Sequence, residues 1–206
     1  MLSVYALKPR FQALLRPIVF TLAGWGVSAN QVTLAAVLLS SISGGLIAWQ
    51  PHAHWPLLML PLILLVRMAL NAIDGMLARE HGQQSHLGAI LNEMGDVVAD
   101  AALYLPLALL ANVSATLIVL FVLFATMSEM MGVVAVQIGA KRQYQGPMGK
   151  SDRAVCLGIL AFLLGCGVAA GAWVNWLLVL MLLMLLMTMV NRAKAALKEA
   201  EAVHAN

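Results

Sequence analysis

The chain has 206 residues, of which 62% are hydrophobic and 10% charged, and its formal net charge is +3. Soluble domains run near 45–50% apolar with about 25% charged residues, so an ordinary cytosolic enzyme or secreted domain is excluded. Two cysteines, Cys156 and Cys166, are too few for a disulfide scaffold or a cysteine-rich metal cluster, which leaves one integral membrane domain.

In chain order, Met1 to Pro17 sets Lys8, Arg10 and Arg16 among Leu, Phe and Val residues. This predicts an amphipathic helix lying on the membrane surface (1–17). No compact apolar run or small-residue cleavage site follows those charges before Pro17, so a cleavable signal peptide is not expected. Spanning the hydrocarbon takes about 20 mostly apolar residues. Six such stretches follow, at 31–50, 56–78, 88–111, 114–139, 154–173 and 174–191. The expected class is therefore all-α, with six transmembrane helices forming a domain over 18–194 and a cytoplasmic tail over 195–206. The Ala195–Ala202 part of that tail, with Lys198 and Glu201, reads as a solvated or surface-bound helix. Trp25, Trp49, Trp55, Trp173 and Trp176 fall near span ends, as an interfacial belt requires.

The cations fix the orientation. Lys8, Arg10 and Arg16 precede the first span and Arg79 ends the second. Lys141, Arg142, Lys150 and Arg153 separate the fourth from the fifth, and Arg192, Lys194 and Lys198 follow the sixth. The three connections on the other side carry no Lys or Arg. The positive-inside rule then places both termini and two loops in the cytoplasm, as expected of a multi-pass protein of the inner membrane.

A charge near the middle of a span costs about 2.5–3.5 kcal/mol on insertion scales, so each one needs a reason. Spans two and three hold Arg67, Asn71, Asp74, Asn92, Glu93, Asp96 and Asp100. Arg67, Asn71, Asp74 and Ala78 follow one helix face, and Gly88, Asn92, Asp96 and Asp100 recur every four residues along another. The short Glu80–Leu87 connection predicts antiparallel neighbouring helices whose stripes face each other at the cytoplasmic end. Such rows of oxygen donors suit a hard divalent cation, since like carboxylates repel unless a cation joins them. Gly75, Ala78 and Gly88 leave room for a ligand, or for tight helix packing. For a single Asp–Arg pair, a buried structural ion pair would be the better reading; the whole cluster favours a site.

Asn71-Ala-Ile-Asp74-Gly75-Met-Leu-Ala78-Arg79, followed at matching spacing by Gly88, Asn92 and Asp96, resembles the CDP-alcohol phosphotransferase signature D-x-x-D-G-x-x-A-R-x8-G-x3-D-x3-D. Ala29-Asn30-Gln-Val-Thr33-Leu34 is similar to the family's P-N-x-x-T segment, with Ala29 in place of proline. The resemblance covers nearly the whole six-helix core and is nearest to the enterobacterial inner-membrane branch of the family. It departs at Asn71 and Asn92, where the family has aspartates. An amide oxygen still ligates, but each replacement removes one negative charge.

The resemblance implies transfer of a phosphatidyl or other phospho-alcohol group from a CDP-linked donor, such as CDP-diacylglycerol, to an acceptor hydroxyl with release of CMP. It implies metal ligation (Mg²⁺ or Mn²⁺) by Asn71, Asp74, Asn92 and Asp96; outside the signature, Asp100 one turn further, or Glu93, is the candidate compensating ligand. Asp96 matches the general base. Gly75, Ala78, Arg79 and Gly88 match the nucleotide and diphosphate subsite. Gly149-Lys150-Ser-Asp152-Arg153 is similar to a G-K-x-x-[TR] stretch at the acceptor pocket. Lys150 and Arg153 there read equally well as binders of an anionic acceptor or of anionic lipid head groups, while Ser151 or Asp152 caps the helix. Membrane lipids and a second copy of the chain are the implied partners, and no nucleic acid is expected. Glu129, deep in span four, is expected to pair with Arg67. His81 and His86 read as surface residues. A degenerate relative that binds without turnover and a membrane transporter are the rival readings.

Overall fold

The computed structural model describes residues 8–204, all of whose regular structure is helical. Residues 1–7, part of the expected surface helix, lie outside the described residues. The helices are α1 (Lys8–Gly24), α2 (Ala29–Trp49), α3 (Trp55–Glu80), α4 (His86–Tyr104), α5 (Ala115–Val134), α6 (Lys150–Gly165) and α7 (Ala172–His204). Short 3-10 turns, Leu105–Leu109 and Ala135–Ile138, extend α4 and α5. Serines start three of these helices. Ser28, Ser85 and Ser114 accept hydrogen bonds from the backbone N–H groups of Gln31 (3.2 Å), Gly88 (2.9 Å) and Leu117 (3.4 Å), satisfying donors a helix start leaves unpaired.

Four helical stretches are long and apolar enough to cross a membrane: Ala29–Trp49, Trp55–Glu80, Ala115–Ile138 and Ala172–Ala202. The other two expected spans differ for separate reasons. Helix α4 carries Glu93, Asp96 and Asp100 within 19 residues, and α6 has only 16. The stretch expected at 154–173 begins earlier and stops at Gly165, where Gly167 turns the chain with φ +92°. The stretch expected to end at 191 continues unbroken through the tail to His204. Ala196 holds that extension in place by packing with Ala135 and Ala140.

Helix α1 runs past Pro17 and buries Leu15 and Val19 against Ile73, Met76 and Leu77 of α3, while Leu14, Ile18 and Phe20 face outward. The main apolar core joins α3, α5, α6, α7 and the end of α4 through Leu60, Leu64, Leu103, Phe121, Leu157, Leu178 and Leu185. Tyr104 and Phe121 meet there edge to face at 6.0 Å. Outward apolar rows such as Leu34, Leu38 and Ile42 on α2 and Leu62 and Leu65 on α3 form the kind of surface that lipid, not water, covers.

The expectation that α3 and α4 are direct neighbours is corrected. Helix α2 packs extensively against both and lies between them. Two features explain this. A side chain at Gly44 would overlap the carbonyl of Ala102, so glycine lets the α2 and α4 backbones meet. The α3–α4 connection is also tied across the start of α2: Gln83 accepts from the Ala29 N–H (2.6 Å) and donates to the Val27 carbonyl (3.3 Å). The N-terminal turn of α2 is thereby set between the two polar stripes.

Candidate active site

At this end of the bundle a cavity of about 1700 Å³ opens. Helix α2 lines it with Asn30 and Thr33, α3 with Asn71, Asp74, Gly75, Ala78 and Arg79, and α4 with His86, Gly88, Asn92 and Asp96. The opposite wall comes from Arg142, Gly149 and Lys150 and from Asn191, Lys194 and Lys198 of α7. The two stripes thus face one space although their helices are not paired.

Asp74 is buried, and its Oδ2 accepts a hydrogen bond from Thr33 Oγ1 at 2.9 Å. One helix turn of α2 therefore orients the α3 carboxylate. At Gly88 a Cβ would come within 2.8 Å of Asn30 Oδ1, so glycine is what admits the Asn30 amide. At Gly75 a Cβ would stand 3.1 Å from the Arg79 guanidinium, which lies back along its own helix toward the cavity. Asp96 is partly exposed, and both of its ion pairs use Oδ1: the Lys150 ammonium touches it, and Arg67 stands 3.9 Å away. Asp96 Oδ2 makes no ion pair among the described residues.

A second set of charges adjoins the cavity: Glu129, Arg142 and Arg192 reach its lining, while Arg67, Asp100 and Arg153 lie behind it. Asp100 is held by Arg67 at 2.5 Å and Arg153 at 2.9 Å. Glu129 is held by Arg153 (3.1 Å), Arg142 (3.4 Å) and Arg192 (3.5 Å), and Arg142 also pairs with Glu93. The expected Glu129–Arg67 pair is thus replaced: Arg67 serves Asp96 and Asp100, and Glu129 takes its cations from the 142–153 segment and α7. Arg153 has 0% exposure and, like Asp100, does not line the cavity, whereas Lys150 does. Asp152 caps α6 by accepting from the Gly149 N–H at 3.0 Å.

The geometry therefore gathers Asn71, Asp74, Gly75, Ala78, Arg79, Gly88, Asn92, Asp96 and Lys150, and sets Asp100 and Arg153 apart. Sequence reasoning gave no site role to Asn30, Thr33, Arg142, Lys194 or Lys198. Asn30 and Thr33 were visible in the segment that opens the first span. The 191, 194, 195, 198 spacing is a helix-face signal that a tail assignment hides. Of the two loop histidines, His86 lines the cavity and His81 stacks edge-on against Phe20 at 5.4 Å.

A divalent cation fits this donor set by its chemistry. No three His, Cys, Asp or Glu side chains converge among the described residues. The α3 and α4 stripes offer the cavity two carboxylates, Asp74 and Asp96, and the amides of Asn71 and Asn92, while the other two lining carboxylates, Glu129 and Asp152, are taken up by guanidiniums and by the α6 cap. The Asn71 Nδ2 is buried without a hydrogen-bond partner among the described residues, so none of them holds this amide in a fixed orientation. All-oxygen donors beside an open, polar cavity suit Mg²⁺ or Mn²⁺, which keep sites for water and phosphate.

Comparison with known proteins identifies the family and the fold. The CDP-alcohol phosphatidyltransferase family model matches residues 26–190. Inner membrane protein YnbA of Escherichia coli (strain K12) is 44% identical over 198 residues, covering 95% of this chain and 97% of the relative. The fold is similar to that of Mycobacterium tuberculosis phosphatidylinositol phosphate synthase (PgsA1) with CDP-DAG bound (TM-score 0.73, 16% identity, 87% of this chain and 92% of that one). It is similar also to the same synthase in complex with manganese and citrate (TM-score 0.69, 17% identity, 87% of each chain). The stripes that converge on one cavity are the ones the family model spans, and the chain belongs to the CDP-alcohol phosphatidyltransferase family.

Proposed function

We propose that the protein is a membrane phosphatidyltransferase that moves the phosphatidyl group of a CDP-linked lipid, CDP-diacylglycerol foremost, to an acceptor hydroxyl and releases CMP. One observation carries this reading: Asp74 and Asp96, from helices separated by α2, open onto one cavity beside Gly75, Ala78, Gly88 and Arg79. The relative's description as an inner membrane protein and the cation distribution support six spans with both termini cytoplasmic, so the cavity opens to the cytoplasm. A donor with a soluble nucleotide and two acyl tails suits a site at that surface. The chain acts, on the family pattern, as a homodimer.

Asp74, Asn71, Asn92 and Asp96 would hold the divalent cation, which supplies charge neutralisation of the donor diphosphate. Gly75, Ala78 and Gly88 leave the space in which the nucleotide approaches the helices, and Arg79 contacts phosphate oxygens. Asp96 accepts the proton of the acceptor hydroxyl. The acceptor oxygen then bonds to the phosphorus that carries diacylglycerol, and the bond from that phosphorus to the bridging oxygen breaks, so CMP leaves with the electron pair. The cations of the opposite wall, Lys194 and Lys198 above all, favour an acceptor that is itself anionic. Arg153, fully buried on two acids, serves as a strut for Asp100 and Glu129.

The test is CMP release in nanodiscs containing CDP-diacylglycerol, with Mg²⁺ or Mn²⁺ and a panel of phosphorylated and neutral alcohols. Release that requires both metal and acceptor supports the reading. Donor binding without CMP under every acceptor would favour the degenerate reading, for which Asn71 and Asn92 speak. The transporter reading is weaker, because the connections at the far end of the bundle carry no Asp, Glu, Lys or Arg at all.

A further inference from the structure

We infer that this site takes a single divalent cation per chain, and that the Lys150 ammonium is a built-in second cation on Asp96. The inference rests on the transferase reading above and deepens it.

Four carboxylates line the cavity, but Glu129 is held by three guanidiniums and Asp152 caps α6, which leaves Asp74 and Asp96 with the Asn71 and Asn92 amides, a small negative charge for more than one divalent ion. One of the two carboxylates is already engaged. Lys150 Nζ contacts Asp96 Oδ1, and the buried Arg67 guanidinium approaches the same oxygen at 3.9 Å. A metal ion and an ammonium cannot share one carboxylate oxygen at contact distance, since both occupy the same space and repel each other. Asp74, in contrast, makes no ion pair among the described residues, and its Oδ2 is oriented by the Thr33 hydroxyl. Asp74 and Asp96 Oδ2 are thus left to the metal, and Asp96 Oδ1 to the ammonium.

Lys150 is held in place by its surroundings. It opens α6, whose start is fixed by the Asp152–Gly149 cap and by the Met148 N–H donating to Thr188 Oγ1 at 3.0 Å. Three residues on, Arg153 anchors the same turn to Asp100 and Glu129. The ammonium is therefore delivered to Asp96 by a backbone tied at four points. Such a charge lines the same cavity as Arg79 and Asp74, so a diphosphate bound there would meet it with no metal loaded. Lys150 in this role is a positioning residue for Asp96 and a fixed countercharge for phosphate.

The experiment is a Mn²⁺ titration, with metal alone, of the full chain in nanodiscs of neutral lipid, read by the electron paramagnetic resonance of free Mn²⁺. Sites count only if Asp74→Asn/Asp96→Asn abolishes them. The wild-type chain is expected to bind one Mn²⁺; two, or none, would overturn the inference. Asn71→Asp/Asn92→Asp/Lys150→Gln is expected to bind two, and restoring Lys150 in that background should weaken the second Mn²⁺ at least tenfold. A change of less than twofold on restoring Lys150 would also overturn it. CMP release by the wild type is scored separately. Two Mn²⁺ with CMP release would remove the inference and leave the transferase; one Mn²⁺ without release would do the reverse.

Discussion

Asp96 and Asp100 stand one turn apart on the same stripe of α4, yet they inhabit different chemical settings. Asp96 meets the cavity and a lysine whose side chain is 26% exposed, and its second oxygen makes no ion pair among the described residues. Asp100 is gripped by two guanidiniums whose side chains are 3% and 0% exposed. The first arrangement leaves a carboxylate able to exchange partners. The second locks one in place, because removing either partner strands a charge in a low-dielectric interior. A helix stripe therefore specifies a face, while the depth along it and the cations opposite decide whether a carboxylate works or holds.

The contrast is most easily broken at its two centres. Asp96→Asn is expected to lower CMP release by about 10²–10⁴-fold, the usual contribution of a general base. CDP-diacylglycerol binding measured without metal and the thermal midpoint should stay close to wild type. Asp100→Asn should behave in the opposite way, leaving Arg67 and Arg153 without their common anion and costing about 3–5 kcal/mol of stability. Thermal unfolding of the detergent-solubilised chain reads that loss, and CMP release per folded molecule should fall far less than in Asp96→Asn. An Asp100→Asn chain that is stable but has lost Mn²⁺ binding would erase the distinction.

Much of this division was not legible in the sequence, and the reasons are physical. The spacing of Asn71, Asp74, Asn92 and Asp96 placed each on a helix face, because a 3.6-residue period is a local property. It gave no information on what lies between two helices. The close approach at Gly44 that sets α2 between α3 and α4 is a long-range event, and a glycine among serines does not announce it. Charge pairing failed for a similar reason. Arg67 and Glu129 looked like partners because each was isolated in an apolar stretch, whereas the cations that reach Glu129 come from the 142–153 segment and from α7. The last helix misled by composition: the change from Met and Leu to Ala, Lys and Glu looked like a boundary, while backbone helicity ignored it.

A finer probe of the working half is Thr33, whose hydroxyl donates to Asp74 at 2.9 Å. Thr33→Val keeps the shape and removes the donor, leaving the buried carboxylate one hydrogen bond short. Mn²⁺ affinity is expected to fall about 10–100-fold, as it does when an outer partner of a metal ligand is lost. Thr33→Ser should restore it. Because the single Thr33 hydroxyl proton is shared between Asp74 and the Ala29 carbonyl and reaches no other charge, the same change should leave the network of Arg67, Arg153 and Glu129 undisturbed, and a large stability loss would mean that the two halves are mechanically one.

The smallest expected effect lies at the cavity's far wall, where Lys194 and Lys198 sit one turn apart on α7. Both are exposed, so each acts through screened attraction at a distance and not through a fixed contact. Lys194→Gln/Lys198→Gln should raise KM for phosphorylated acceptors about two- to fivefold with kcat unchanged, since a charge felt equally in the ground and transition states moves binding alone. Neutral acceptors should be unaffected, and raising the salt concentration should shrink the difference between variant and wild type. A fall in kcat instead would mean that these lysines reach the reacting phosphate, and the exchanging side of the site would then extend across the whole cavity to α7.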